Sequence, residues 1–173
     1  MSACPELETT VSLDEAHGIL LPFFEEVRAL FSAHFPLLKR VDFYVAHGLH
    51  DSARHFAACS ANGKEILCAP EMVELPHPLV TGILAHECGH AVDFLYPGEF
   101  ALGRGGVIRR DRKAVTDGQW TRWQKAWEAR NDDVVEQTAD GIAEKVWDEP
   151  IRYAGPCKLQ NFRAGEARPQ GLR

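Results

Sequence analysis

The sequence predicts an α+β fold: a small mixed β-sheet packed on one long apolar helix and on a second, later helix. Three observations carry that expectation. An amphipathic run begins at Ser12, two β-rich segments flank Asn62-Gly63, and an apolar stretch of helix length lies between Pro78 and Pro97-Gly98. The 173 residues suit a single domain over 1–155 with an extended tail over 156–173, because a chain of roughly 100 to 200 residues can bury one core.

Ser12 followed by Glu15 has capping-box spacing, and Ile19, Leu20, Phe23, Phe24, Val27, Leu30 and Phe31 recur at helical intervals. A helix to about His34 is expected, kinked or restarted at Pro22. Val41 to Ala46 reads as a first strand. Arg54 to Ser60 and Lys64 to Ala69 read as a hairpin, with Asn62-Gly63 as its two turn residues, Cys59 paired with Ile66, and Cys68 diagonal to Cys59. Leu79 to about Leu95 should be the central helix.

Residues 97–115 hold four glycines and five basic residues without a period, and are expected to form a mobile basic loop. Thr116 and Gln119 form a second capping box, followed by Trp120, Trp123 and Trp127 as a core-facing stripe. Asn131, Asp132 and Asp133 can cap a last helix, about Val134 to Trp147, that must end before Pro150.

Composition narrows the function. The hydrophobic share is 45% and the charged share 25%, and no apolar run approaches the roughly 18 residues of a bilayer span, so no membrane partner is expected. Met1 to Thr10 lacks the basic start and apolar stretch of a secretory signal, which makes a cytoplasmic location the expectation. A net charge of −6 disfavours nucleic-acid binding by phosphate neutralisation. Five cysteines without a CxxC pair fit reduced, buried thiols better than a disulfide framework.

The chemistry concentrates in His86-Glu87-Cys88-Gly89-His90. Four residues apart on a helix, His86 and His90 can offer two imidazole nitrogens to one zinc ion, with Glu87 beside them as general base for a metal-bound water. Hydrolysis needs a third protein ligand. The metzincin spacing fails, because Asp93 and Tyr96 occupy its glycine and ligand positions. Asp93 also lies about 10.5 Å along the axis from His86, too far to share one ion, so it is read as a carboxylate beside His90 or on the surface. Glu136 is the stronger ligand candidate, on a separate helix with Asp140 four residues on, where Asp140 can orient the ring of His86.

This HExxH motif with Glu136-Gln137-Thr138-Ala139-Asp140 resembles the HExxH plus ExxxD pattern of the gluzincin metallopeptidases. The short spacing and the run Glu136, Ala139-Asp140, Ile142-Ala143 are similar to the compact minigluzincins, among them the ImmA/IrrE-type peptidases. The resemblance covers about residues 40–147. It implies a zincin-like peptidase with one Zn2+ held by His86, His90 and Glu136, Glu87 as base and Asp140 behind His86. The segment around Gly155-Pro156-Cys157 and Pro169 to Arg173 resembles the ends of small phage and prophage zinc peptidases, which adds the virion or the host cytoplasm as locations.

A peptide or protein substrate is expected, held by strand addition along an exposed edge at Lys64 to Leu75. Tyr153 is the first choice of oxyanion donor, with Arg152, Tyr96 or a loop arginine as alternatives. His47, His50 and His55 lack the spacing of a local metal site, and His77 is unassigned. Two other functions stay open: a zinc-stabilised interaction or phage assembly module without turnover, and a regulatory protease specific for one partner. Retention of Glu87 disfavours the first, since a structural site needs no base.

Overall fold

A computed structural model describes residues 9–49, 56–103, 106–110, 116–129 and 132–147. Helix α1 spans Leu13–His34, and the side chain of its N-cap, Ser12, accepts a hydrogen bond from Glu15 N at 3.2 Å. One stripe of it (Ala16, Leu20, Phe24, Val27 and Phe31) is wholly buried. The helix neither breaks nor restarts at Pro22. Proline removes one backbone donor, but Leu20 and Phe24 bury the stripe on both sides of it, and packing outweighs the lost bond.

A 3-10 turn at Pro36–Arg40 leads into β1, Asp42–Val45. With β2 (Ala57–Cys59) and β3 (Glu65–Cys68) it forms a mixed sheet of order β1-β3-β2, in which β1 runs parallel and β2 antiparallel to β3. The expected Cys59–Ile66 register is present. The connection is longer than two residues, however. Ser60 N donates to Glu65 O and Gly63 N to Ser60 O, each at 2.9 Å, which leaves 61–64 as the turn. Asn62 Oδ1 accepts from Lys64 N at 2.9 Å, so the asparagine builds the turn with its side chain while Gly63 takes a positive φ, +73°.

The order of the sheet overturns the expected substrate edge at Lys64 to Leu75. Strand β3 is the central strand, paired on both sides, and Pro70–Glu74 is a 3-10 turn, so that segment offers no strand edge to a peptide.

Helix α2, His77–Leu95, is the core of the protein, buried at every residue from Pro78 to Asp93. Such a helix must be covered on all sides. α1, the sheet and a later helix cover it.

The expected mobile loop is in part a β-hairpin. β4 (Phe100–Gly103) and β5 (Gly106–Arg109) pair antiparallel, with Phe100, Ala101 and Val107 buried. Arg109 and Arg110 are engaged by neighbours. The Arg109 guanidinium stacks 5.1 Å over Phe35 and bonds Glu99 at 3.0 Å, while Arg110 lies 5.4 Å over Trp120 and 3.4 Å from Asp117. Four-residue strands are too short to display a period. Residues 111–115 lie outside the described set.

Helix α3, Asp117–Glu128, begins with a reciprocal capping box: Gln119 N donates to Thr116 Oγ1 at 3.3 Å, and Thr116 N to Gln119 Oε1 at 3.2 Å. Trp120 is buried, whereas the side chains of Trp123 and Trp127 lie outside the described set. Helix α4, Asp132–Trp147, lies against α2, with Ala139, Ile142 and Ala143 buried. The fold is therefore α+β, as the sequence predicts. No helix among the described residues is long and apolar enough to cross a membrane.

Candidate metal centre

The site forms where α4 packs on α2. His86 and His90 stand one turn apart on α2 with side chains only 3% and 8% exposed, and Glu136 and Asp140 stand one turn apart on α4 facing them. His86 Nε2 is 2.7 Å from Glu136 Oε2, His90 Nε2 is 3.2 Å from Glu136 Oε1, and the two Nε2 atoms are 3.1 Å apart. His86 Nδ1 meets Asp140 Oδ1 at 2.8 Å. Two imidazoles and a carboxylate thus converge with donor atoms within 4.8 Å of one another, a set that could hold a metal ion.

Glycine makes the convergence possible. A β-carbon on Gly89 would collide with the carbonyl oxygen of Ala139 and lie 2.9 Å from its carbonyl carbon. Only without that atom can the backbone of α4 come close enough for the Glu136 side chain to reach both histidines.

The charges fit the geometry. Burial alone would lower the His86 pKa, but hydrogen bonds to Asp140 and Glu136, with the nearby Glu87 charge, raise it to about 10. The ring is then an imidazolium between two carboxylates, its Nδ1–H donating to Asp140. The hydrogen bonds from His86 and His90 hold the Glu136 carboxyl well below the usual carboxylate range, against the opposing effect of burial. His90 Nδ1 is buried and without a hydrogen-bond partner among the described residues.

Glu87 is buried at 6% exposure, and its charge adds to burial in raising the thiols of Cys59, to about 12, and of Cys68 and Cys88. All three are free thiols, kept neutral by their surroundings. Asp93 is 1% exposed, which removes the surface reading, and it does not bond His90 Nδ1. The hydroxyl of Tyr96 accepts from Leu37 N at 3.0 Å, and its ring lies edge-on to Phe35. Tyr153, Arg152, His50 and His55 lie outside the described residues, and His47 is exposed.

Sequence reasoning places His86, His90, Glu136 and Asp140 in one site and misses the contacts that bring α4 there. One of these lies at Gly141, where a β-carbon would meet the Val107 side chain. A glycine directly after Asp140 in an otherwise regular helix is the signal that could have found it.

No protein-family model matches the chain, and neither curated proteins nor solved structures provide a match.

Proposed function

We propose that the protein is a zinc-dependent peptidase of the gluzincin type. The observation that carries this reading is the convergence of His86 Nε2, His90 Nε2 and the Glu136 carboxylate from two helices. Such a donor set suits zinc and leaves a fourth position for water, as hydrolysis requires. Zinc bound there would lower the pKa of its water toward about 7 and polarise a scissile carbonyl.

The remaining steps belong to the chain. On zinc binding His86 would release its Nε2 proton, while Asp140 keeps accepting the Nδ1–H, which leaves Nε2 to coordinate and fixes the ring. Glu87 takes the proton from the attacking water and returns it to the leaving amine. A peptide lies along β2, the outer strand beside α2, which among the described residues pairs only with β3.

Zinc content and peptide cleavage, measured on the wild type, Glu87→Gln and Glu136→Ala, test the reading. Glu87→Gln should keep zinc and lose cleavage, and Glu136→Ala should lose most of both. Full activity in Glu87→Gln would sink the mechanism, and tight zinc binding by Glu136→Ala would sink the ligand assignment.

A further inference from the structure

Helix α4 is held from two sides at the level of the site. On one side Ala139 meets Gly89 of α2, backbone to backbone. Two residues on, about 200° around the helix, Gly141 faces β5. A β-carbon at Gly141 would collide with Val107 Cγ2 and lie 2.8 Å from Val107 Cβ, so the valine fills the notch that the glycine leaves. Asp140, bonded to His86, stands between these two contacts.

The hairpin that carries Val107 is itself anchored. Phe100, 1% exposed, packs edge-on against Phe35 with ring centroids 5.8 Å apart, and Arg109 stacks over both rings. At the same open end of the hairpin, where Phe100 pairs with Arg109, Arg110 lies over Trp120 of α3. Val107 is 6% exposed and is thereby pressed against α4 by a support that runs through Phe35, α3 and the Tyr96 cap of α2.

We infer that Val107 is a positioning residue for the metal site: seated against Gly141, it sets how deeply α4 rests on α2, and so how far Glu136 and Asp140 reach toward His86 and His90. The inference rests on the zinc reading above. It gives the hairpin a role distinct from filling the core, because a displacement of a few tenths of an ångström at Gly141 passes directly to the neighbouring Asp140.

Zinc affinity, measured by competition with a chromophoric chelator, and the thermal midpoint of the metal-free protein should be determined for the wild type, Val107→Ala, Gly141→Ala, the double variant Gly141→Ala/Val107→Ala, and Val27→Ala. Val27 is a buried valine of α1 outside the site. Val107→Ala should weaken zinc binding about tenfold, in the range seen when groups behind metal ligands are lost. Gly141→Ala should weaken it at least as much. The double variant should bind more tightly than Gly141→Ala, because the smaller side chain makes room for the added methyl. Val27→Ala should lower the midpoint and leave the affinity unchanged.

Affinities of Val107→Ala and Gly141→Ala within about twofold of the wild type would overturn the positioning role while leaving the zinc reading intact. So would a double variant no better than Gly141→Ala, or a Val27→Ala that binds as poorly as Val107→Ala. A wild-type protein that takes up no zinc would instead overturn the underlying reading. If Gly141→Ala does not fold, Val107→Ala alone decides.

Discussion

The carbonyl of Ala139 occupies the space that a side chain at Gly89 would need, so the two helices that present the candidate ligands touch backbone to backbone inside the HExxH motif itself. His86 and His90 are the motif's candidate ligands, and Glu87 is its proposed base. The glycine between Cys88 and His90 decides whether Glu136 can join them.

Gly89→Ala should therefore harm the site more than one methyl group suggests. The obstacle is backbone, which no rotamer change relieves, and overpacking of this kind costs about 1 to 3 kcal/mol. A lower thermal midpoint and a loss of bound zinc are the expected outcomes, read by calorimetry and metal analysis. A variant as stable and as zinc-loaded as the wild type would show that α4 has room to move.

Asp140→Asn keeps the shape of the side chain but weakens the acceptor behind His86. The 2.8 Å contact to Nδ1 would then join a neutral amide to the ring, and zinc affinity should fall about 10- to 100-fold while the fold persists. Chelator competition measures the change, and the far-ultraviolet circular dichroism spectrum checks the fold. Unchanged affinity would remove Asp140 from the site.

The metal-free protein should lose stability as pH rises. The His86 pKa stands at about 10 against an ordinary 6.5, so the folded state holds a proton that the unfolded chain releases. Its stabilising contribution is complete below about pH 6.5 and is lost as pH rises through about 10. The lowered Glu136 pKa acts in the opposite sense, with a contribution present above its ordinary 4.5 and lost on acidification. Thermal midpoints of chelator-treated protein should thus be highest between about pH 5 and 6.5 and decline toward pH 10. Asp140→Asn should flatten the alkaline limb, and an equally steep limb in that variant would mean that His86 is not its source.

Features that involve neighbours in sequence are legible from the residues alone. The Ser12 and Thr116 caps, the Cys59–Ile66 register and the limits of α2 each depend on residues a few positions apart, and each is present. The paired spacing of His86 with His90 and of Glu136 with Asp140 also tells which side chains share a helix face, because helical geometry sets that by count alone.

What depends on partners distant in the chain was settled by packing. Strand order is one case: β3 lies between β1 and β2, so among the described residues the edge beside α2 belongs to β2 and not to Lys64–Leu75. The path of α1 through Pro22 is another, since burial of Leu20 and Phe24 outweighs a local preference to break. The pairing of Phe100–Gly103 with Gly106–Arg109 is a third, because Phe35, Glu99 and Trp120 engage Arg109 and Arg110, which in sequence read as part of a mobile basic loop. The same holds at the centre of the molecule. Residue type and spacing select which side chains can bind a metal, whereas the fit of Gly89 to Ala139 and of Gly141 to Val107 brings them together, because close packing is a property of surfaces in contact and not of either surface alone.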